Sequence, residues 1–357
     1  MQGSSEMITN RRLRIAVAGL GRIAWQYHIP SIIKHPQFQL VAVADPLAER
    51  ILEVKTQFGI NNGYQLVPQM LEQEKPDILL IASPTCFHTE QTLQAFKSGT
   101  DVICEKPLAS TFDDAKKIQQ SMRHYQRKLM VYQPHRLTPE AVSLKNILES
   151  GVLGRIFMVR RTCCNFIRRN DWQAFTSYGG GMLNNYGSHF LDQFIYLFGG
   201  NFKSVDAVTR RIISSGDAED FVKLLAVNNL DITFDLEINM SSAFAGQEWQ
   251  VCGTCGAAVW RSGSGWQLRY FDPAHLKLRT IQPGLAAEGR LYPSEQDIDW
   301  TEKNIPVETA QSNGFYDYCY SYFALDEAPL IPVETTMEVM NILERCRQGA
   351  PIPALSC

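Results

Sequence analysis

The chain lacks several features that would place it in large classes of protein. Its formal net charge is only −3 over 357 residues, so charge gives no basis for binding nucleic acid. No apolar run approaches the roughly 18 to 20 residues that a membrane-spanning helix needs. We therefore expect neither a nucleic-acid-binding protein nor a membrane protein.

Targeting and disulfide signals are also scarce. The first residues, MQGSSEMITNRR, have no apolar core like that of a signal peptide, and we expect residues 1–11 to be a flexible tail. The nine cysteines are odd in number and irregularly spaced, which favours reduced thiols in a cytoplasm over a disulfide framework. Cys252 and Cys255 form a C-x-x-C pair, but no cluster has metal-ligand spacing, so we expect no metal site.

A glycine-rich turn near the start of the chain is typical of dinucleotide binding. A strand-like run over 14–18 leads into GLGRIA, which fits G-x-G-x-x-A at the start of a helix. Gly19 permits a tight turn, Gly21 lets the backbone approach a pyrophosphate, and the helix N-terminus attracts its charge. Arg22 and Ile23 follow in the same turn, and we expect them to contact the cofactor as well.

An acidic residue follows at the expected distance. The next strand, 38–44, ends in Asp45, about 20 residues beyond the glycines, where a carboxylate can accept hydrogen bonds from ribose hydroxyls. Asp45 would repel a 2′-phosphate, so NAD is favoured over NADP. Asp45 can also cap the helix after Pro46, and that structural role is compatible with ribose binding.

Strands and helices alternate through the first third of the chain. Helices are predicted over 46–58, 89–98 and 111–126, and strands over 78–82, 102–104 and 129–132. Such alternation predicts a doubly wound parallel sheet. We therefore expect residues 1–134 to form a dinucleotide-binding domain of the Rossmann type.

The run VICEKPLAS, residues 102–110, is the most informative stretch. Its buried strand ends in Glu105, Lys106 and Pro107, and ligands of open parallel sheets bind just beyond the carboxyl ends of the strands. Lys106, stiffened by the proline, is placed to reach a ligand. An isolated E-K-P tripeptide would more often be a surface turn, so its context carries the prediction.

The remainder, 135–357, is predicted to be a second domain for substrate binding and oligomerisation. A helix begins near Thr138 and Pro139, and two more close the chain at about 313–323 and 333–348. Strand-like stretches lie at 156–164, 205–210, 221–227, 231–239, 249–252, 257–260 and 267–271, which favours an antiparallel sheet. Residues 273–310 are expected to be extended or loop structure.

A second set of candidate residues follows three consecutive glycines at 179–181. Asn185 and His189 are four residues apart, on one face of the helix predicted to run to Phe198. Histidine, with a pKa near ~6.5, suits proton exchange at neutral pH. A lone histidine under a glycine turn is more often structural, so the proton-exchange role of His189 depends on the motifs around it. Asp192 is expected to orient His189 or to cap a neighbouring element.

Five motifs, GLGRIA, VAVADP, SPTCFHTE, VICEKPLAS and GGGMLNNYGSHFLD, resemble in order and spacing those of the Gfo/Idh/MocA family, the glucose–fructose oxidoreductase and inositol dehydrogenase relatives. The resemblance covers almost the whole chain. It implies a Rossmann domain followed by a large, mostly antiparallel, open-faced sheet with helices on one face. That open face commonly forms a dimer interface, so a homodimer or homotetramer is expected.

The resemblance also implies roles for individual residues. The nicotinamide and ribose side of NAD is expected to be lined by Ser83, Pro84, Thr85 and His88 and flanked by Glu105 and Lys106. For His88, backbone capping is an equal alternative. A loop with Arg168 and Trp172 is expected to close over the substrate, and Tyr186 to offer it a hydroxyl; a solvated basic loop around a buried tryptophan is the alternative.

Asn185 departs from the family pattern, because most enzyme members have an aspartate there. The leading hypothesis is an NAD-dependent dehydrogenase or reductase acting on a small molecule, a sugar, polyol or related hydroxyl or carbonyl compound. Lys106 would bind the reacting oxygen, His189 would exchange its proton, and Asn185 would hold the substrate or the imidazole. The alternatives are a non-catalytic NAD(P)-binding sensor and a redox-neutral enzyme that retains NAD.

Overall fold

The computed structural model describes residues 11–277, 298–307 and 314–348, which form two β-sheets with helices packed against them. Except for Arg11, the predicted tail lies outside the described residues, and so does the middle of the region 273–310. None of the described helices is long and apolar enough to cross a membrane.

The first sheet has six strands, all parallel, in the order β3-β2-β1-β4-β5-β6. The strands are β1 (Leu13–Ala18), β2 (Phe38–Ala44), β3 (Gly63–Tyr64), β4 (Ile78–Ile81), β5 (Asp101–Cys104) and β6 (Leu129–Val131). The apolar runs of β4 and β6 are fully buried, as expected for a sheet covered by helices on both faces. The strand order is that of the doubly wound dinucleotide-binding fold, whose crevice opens between β1 and β4.

Helices connect these strands close to where the sequence places them. The chain leaves the glycine turn in a π-helical segment, Ala24–His28, that continues as α1 (Ile29–Lys34); the next helices are α2 (Ala48–Phe58), α3 (Val67–Glu74), α4 (His88–Lys97) and α5 (Phe112–His124). Helix α3 was not predicted. Only Met70 and Leu71 are buried in it, so it carries little apolar periodicity.

The second sheet has eight strands in the order β14-β13-β12-β11-β7-β10-β9-β8, antiparallel except between β7 and β10. They are β7 (Ile156–Cys164), β8 (Phe202–Arg210), β9 (Phe221–Asn228), β10 (Thr233–Asn239), β11 (Trp249–Gly253), β12 (Gly256–Arg261), β13 (Gly265–Tyr270) and β14 (Thr301–Ile305). The seven predicted strands are confirmed. Strand β14 was not foreseen as a strand, because four of its five residues are exposed and no alternation marks it.

Four α-helices follow β6 in the described part of the chain: α6 (Pro139–Glu149), α7 (Ser188–Phe198), α8 (Phe315–Leu325) and α9 (Val333–Gln348). Helix α7 is almost wholly buried, and Phe194 stacks on Phe234 of β10 with ring centroids 4.4 Å apart. Helix α8 instead packs on the first sheet, where Tyr316 meets Phe38 edge to face at 5.7 Å. A domain boundary at residue 134 therefore divides the chain in sequence, but α8, which follows that boundary, packs on the sheet that precedes it.

Candidate active site

The glycine turn after β1 is held tightly against the ends of β2 and β4. Gly19 has φ +89°, its amide donates to Ala44 O at 2.8 Å, and a Cβ at this position would lie 2.5 Å from Ser83 N. A Cβ at Gly21 would meet nothing within 4 Å. The turn thus fixes the backbone at Gly19 and leaves room beside Gly21, at the start of the helix.

Asp45 connects this turn to the end of β2. It is 4% exposed; one carboxylate oxygen, Oδ2, accepts from Leu20 N at 2.8 Å and the other, Oδ1, from Leu47 N at 3.0 Å. Arg50 Nη1 lies 3.6 Å from Oδ2. Helix α2 has Leu47 at its N-cap and no side-chain cap, so the expectation that Asp45 caps it is wrong; the two contacts of Asp45 hold the glycine turn and the segment before α2. Since a carboxylate has about four acceptor positions, capacity remains for ribose hydroxyls.

The segment after β4 contains a buried hydroxyl without a partner and a fully engaged histidine. Thr85 is 1% exposed, and its Oγ1 has no hydrogen-bond partner among the described residues. The ring nitrogens of His88 lie 2.9 Å from Pro107 O and 2.9 Å from Ser83 O. Burial lowers the pKa of His88 despite these two acceptors. His88 thus joins two segments of the cleft, and both of its nitrogens face protein oxygens instead of a ligand.

Lys106 extends from the end of β5 towards the second domain. Its Nζ donates to Asn185 O at 2.9 Å and to Asn185 Oδ1 at 2.8 Å. Burial lowers the pKa of Lys106 to about 8; the charge of Glu105 opposes this, and those of Arg169 and Arg22 add to it. The ammonium is therefore held by two neutral oxygens, next to other positive charges.

Glu105 points back into the protein beneath Lys106. It is 7% exposed; Oε1 lies 2.9 Å from His28 Nε2, and Oε2 accepts from Lys106 N at 3.1 Å. His28 Nδ1 in turn lies 2.8 Å from the Tyr316 hydroxyl. Glu105 thereby connects the Lys106 turn to the π-helical segment before α1 and to α8, and its charge favours the protonated form of Lys106.

His189 is buried between two residues that the sequence did not single out. Its Nδ1 lies 2.8 Å from Gln133 Oε1, and its ring stacks on that of His135 with centroids 3.9 Å apart and planes inclined by 3°. Burial first, then the charges of Lys106 and His135, hold the pKa of His189 well below its usual value. The sequence offers no local signal for these neighbours, since the fold alone brings the segment after β6 beside α7.

The imidazole therefore has partners other than those expected. Of the two roles expected for Asn185, contact with the imidazole is taken by Gln133, and Asn185 pairs with Lys106. The expectation that Asp192 orients His189 is also wrong. Arg136 donates from Nε and Nη2 to the two Asp192 oxygens at 2.7 and 2.6 Å, and both side chains are buried.

In the loop after β7, the arginine that acts on the cleft is not the one expected. Arg168 Nε donates to Ile213 O at 3.0 Å, away from Lys106. Its neighbour Arg169 pairs with Asp171, and the charge of Arg169 acts on Lys106. Of the two arginines, it is thus Arg169 that the structure brings to the cluster.

Two aromatic side chains, Trp172 and Tyr186, lie near Lys106 and Asn185. Trp172 borders a small cavity together with Thr85, Lys106 and Asn185. The ring of Tyr186 stacks on Phe190 with centroids 5.9 Å apart and is half-buried. The predicted substrate contacts Trp172 and Tyr186 therefore lie on elements that border the cleft.

These residues fit a bound NAD. A side chain at position 19 would collide with Ser83, so the tight turn needs a glycine there. The backbone at Gly21 is open to a phosphate, and Asp45 retains acceptor capacity for a ribose. The unpartnered Thr85 Oγ1 borders the same cavity as Lys106. Among the described residues, no group of three or more His, Cys, Asp or Glu could hold a metal ion.

Fold and cleft together define a protein built on an NAD-binding Rossmann domain. The sequence model described as "oxidoreductase family, NAD-binding Rossmann fold" matches residues 13–133, and the model of the GFO/IDH/MocA C-terminal domain matches residues 142–259. The chain belongs to the Gfo/Idh/MocA family, as its motifs indicate.

Individual relatives agree with this membership. D-glucoside 3-dehydrogenase of Escherichia coli is 30% identical over 204 residues, which cover 56% of this chain and 58% of that enzyme, so the chain spans little more than half of its length. An NAD-binding protein from Listeria innocua has a similar structure, with a TM-score of 0.83 at 23% identity over 96% of this chain and 98% of that one. The WlbA dehydrogenase from Bordetella pertussis, solved with NADH and UDP-GlcNAcA, has a TM-score of 0.74 at 21% identity over 96% and 99%. At these identities, the two structures show the fold.

Proposed function

We propose that this protein is an NAD-dependent oxidoreductase that transfers a hydride between nicotinamide and a hydroxyl or carbonyl carbon of a sugar, polyol or related compound. The observation that carries the proposal is the meeting of Lys106 and the helix of His189 at the dinucleotide crevice. Lys106 is hydrogen-bonded to Asn185, four residues before His189, so these bonds connect Lys106 to the helical segment that carries His189.

The chemistry divides between these two side chains. The Lys106 ammonium donates two of its three N–H bonds to Asn185 and retains one for the reacting oxygen. Because Asn185 is neutral, that contact places no negative charge on the ammonium, which can stabilise negative charge developing on the reacting oxygen. His189 exchanges the proton of the same hydroxyl. Bound nicotinamide supplies or accepts the hydride.

The relatives support the substrate class. D-glucoside 3-dehydrogenase carries a sugar substrate in its name, and the WlbA structure holds NADH with a nucleotide sugar. We propose that Arg169, Trp172 and Tyr186 contact the substrate, since Arg169 acts on Lys106, Trp172 borders the cavity and Tyr186 is half-buried beside Asn185.

Assembly and location are part of the same proposal. We infer a homo-oligomer formed through the second sheet, where Phe157 of β7 and Leu225 of β9 are 46% and 49% exposed. A cytoplasmic location is supported by the cysteines, because all eight in the described part of the chain are free thiols.

The test is NAD⁺ reduction, followed by absorbance, against a panel of sugars and polyols. We expect turnover with at least one member, and a loss of about 10²-fold or more in kcat for Lys106→Met and for His189→Phe, with NAD affinity unchanged. NAD binding without turnover of any substrate would support a sensor. NAD that stays bound, without net reduction while substrate is converted, would indicate redox-neutral chemistry.

A further inference from the structure

We propose that Gln133 and His135 are positioning residues that keep the His189 proton on Nδ1 and present Nε2 as a proton acceptor. This inference rests on the proposed function and deepens it, because it assigns His189 the role of proton acceptor when an alcohol is oxidised. A site with an unprotonated Nε2 at rest is prepared to remove the proton of a substrate hydroxyl, and hence to oxidise an alcohol.

Gln133 fixes the tautomer. Its Nε2 donates to Ser188 O at 3.3 Å, so its Oε1 must face the imidazole; the reverse amide orientation would place two oxygens against each other. An amide oxygen only accepts hydrogen bonds. The His189 Nδ1, 2.8 Å from Gln133 Oε1, must therefore carry the hydrogen.

His135 and the charges around it keep the imidazole neutral. His135 stacks face to face on His189 at 3.9 Å, and Lys106 adds a positive charge from the β5 side. Burial and the charges of Lys106 and Arg161 lower the pKa of His135 itself to about 4. Asp192, the nearest acidic residue on the helix of His189, is bonded to Arg136. A second proton on His189 thus gains no carboxylate partner from its own helix.

The other nitrogen of His189, Nε2, is not taken up by a protein partner. Within the described residues, His189 Nε2 makes no hydrogen bond. It is also not one of the unpartnered atoms that are completely buried there, so it keeps some access to solvent. A neutral imidazole protonated on Nδ1 has its lone pair on Nε2. In the forward step, the substrate O–H bond breaks, its proton moves to Nε2, and the C–O bond becomes a double bond as the C–H bond breaks. Bound NAD⁺ would accept the hydrogen of that C–H bond together with its electron pair.

The first test needs no substrate and no turnover. The chain has seven histidines, and ¹⁵N NMR of their ring nitrogens in the NAD-bound protein, assigned by the signal lost in His189→Phe, reports the tautomer directly. We expect Nδ1 protonated and Nε2 unprotonated across about pH 6 to 8. A proton on Nε2 in this range, alone or with one on Nδ1, would overturn the inference. It would leave the proposed oxidoreductase activity untouched, because that activity is measured separately.

Matched variants separate positioning from mere packing. Gln133→Glu keeps an acceptor at Nδ1 and adds a charge, so the Nδ1 proton should remain and the acid limb of the kcat/KM profile for alcohol oxidation should move up by about one pH unit or more. Gln133→Leu removes the acceptor and should mix the tautomers and lower kcat by about 10-fold or more, with NAD affinity unchanged.

His135→Phe preserves the stack but removes the ionisable ring. We expect it to retain the Nδ1 tautomer and to move the acid limb slightly upward, whereas His135→Ala should also loosen the imidazole and lower kcat. If the acid limb of the kcat/KM profile stays at the wild-type pH in both Gln133→Glu and His135→Phe, the two residues do not act on the protonation of His189 and have a packing role only. Should Gln133→Leu fail to fold, the NMR spectrum and Gln133→Glu still decide the question.

Discussion

Lys106 and Asn185 are joined by two hydrogen bonds, one to the backbone oxygen at 2.9 Å and one to the side-chain oxygen at 2.8 Å. The pair connects the end of β5 in the first sheet with the helix that carries His189 in the second domain. Because Asn185 is uncharged, the pair places a lysine with a pKa of about 8 at the crevice without a carboxylate in contact with its ammonium.

The first prediction concerns the charge of Asn185. Lys106 is protonated below its pKa of about 8 and loses its charge as the pH rises through that value, so a reaction that needs the ammonium declines above about pH 8. Asn185→Asp would place a carboxylate at the position 2.8 Å from Nζ and favour the charged form. We expect the alkaline limb of the kcat/KM profile to move up by about one pH unit or more, equivalent to about 1.4 kcal/mol. Asn185→Ser is the neutral control, and an unmoved limb in Asn185→Asp would show that Lys106 is not the titrating group.

The second prediction separates two adjacent arginines. The Arg169 charge lowers the pKa of Lys106, whereas Arg168 bonds to Ile213 O and does not contribute to that shift. Arg169→Gln should therefore move the alkaline limb upward, and Arg168→Gln should leave its position unchanged. The measurement is the kcat/KM profile of both variants at one ionic strength, since salt screens such charges. Equal shifts in the two variants would contradict the placement of Arg169 beside Lys106.

The third prediction uses the two glycines of the dinucleotide turn. Gly19→Ala would put a methyl group 2.5 Å from Ser83 N at a residue with φ +89°, so it should destabilise the fold by about 1–3 kcal/mol or more. At Gly21 an added Cβ meets nothing within 4 Å, so Gly21→Ala should leave the free energy of unfolding unchanged. It should nevertheless weaken NAD binding, because the methyl group occupies the space in which a pyrophosphate approaches the backbone.

Denaturant unfolding and NAD titration of the two glycine variants check this pair. If Gly21→Ala binds NAD with wild-type affinity, the phosphate does not approach at that point. If Gly19→Ala unfolds at the same denaturant concentration as the wild type, the turn can shift enough to relieve the contact with Ser83, and the prediction is wrong.

Much of the fold could be predicted from local patterns. The buried apolar runs of the parallel strands and the alternation in β7, β9 and β10 are properties of the sequence itself, and the structure confirms them. Strand β14 and helix α3 escaped prediction because they bury few side chains. The packing of α8 on the first sheet could not be predicted from local patterns either. It brings together residues far apart in the chain, such as His28 and Tyr316, which are 288 positions apart.

The sequence by itself determined that the chain has a dinucleotide turn, a Lys106 corner and a helix bearing Asn185 and His189. These features are short, and their chemistry follows from residue types at fixed spacing. Only the tertiary structure decided the partners: Asn185 faces Lys106, Gln133 holds His189, His135 stacks on it, and Arg136 occupies Asp192. The reason is physical. A side chain's partner depends on which other element packs within about 3 Å of it, and that is set by the fold as a whole.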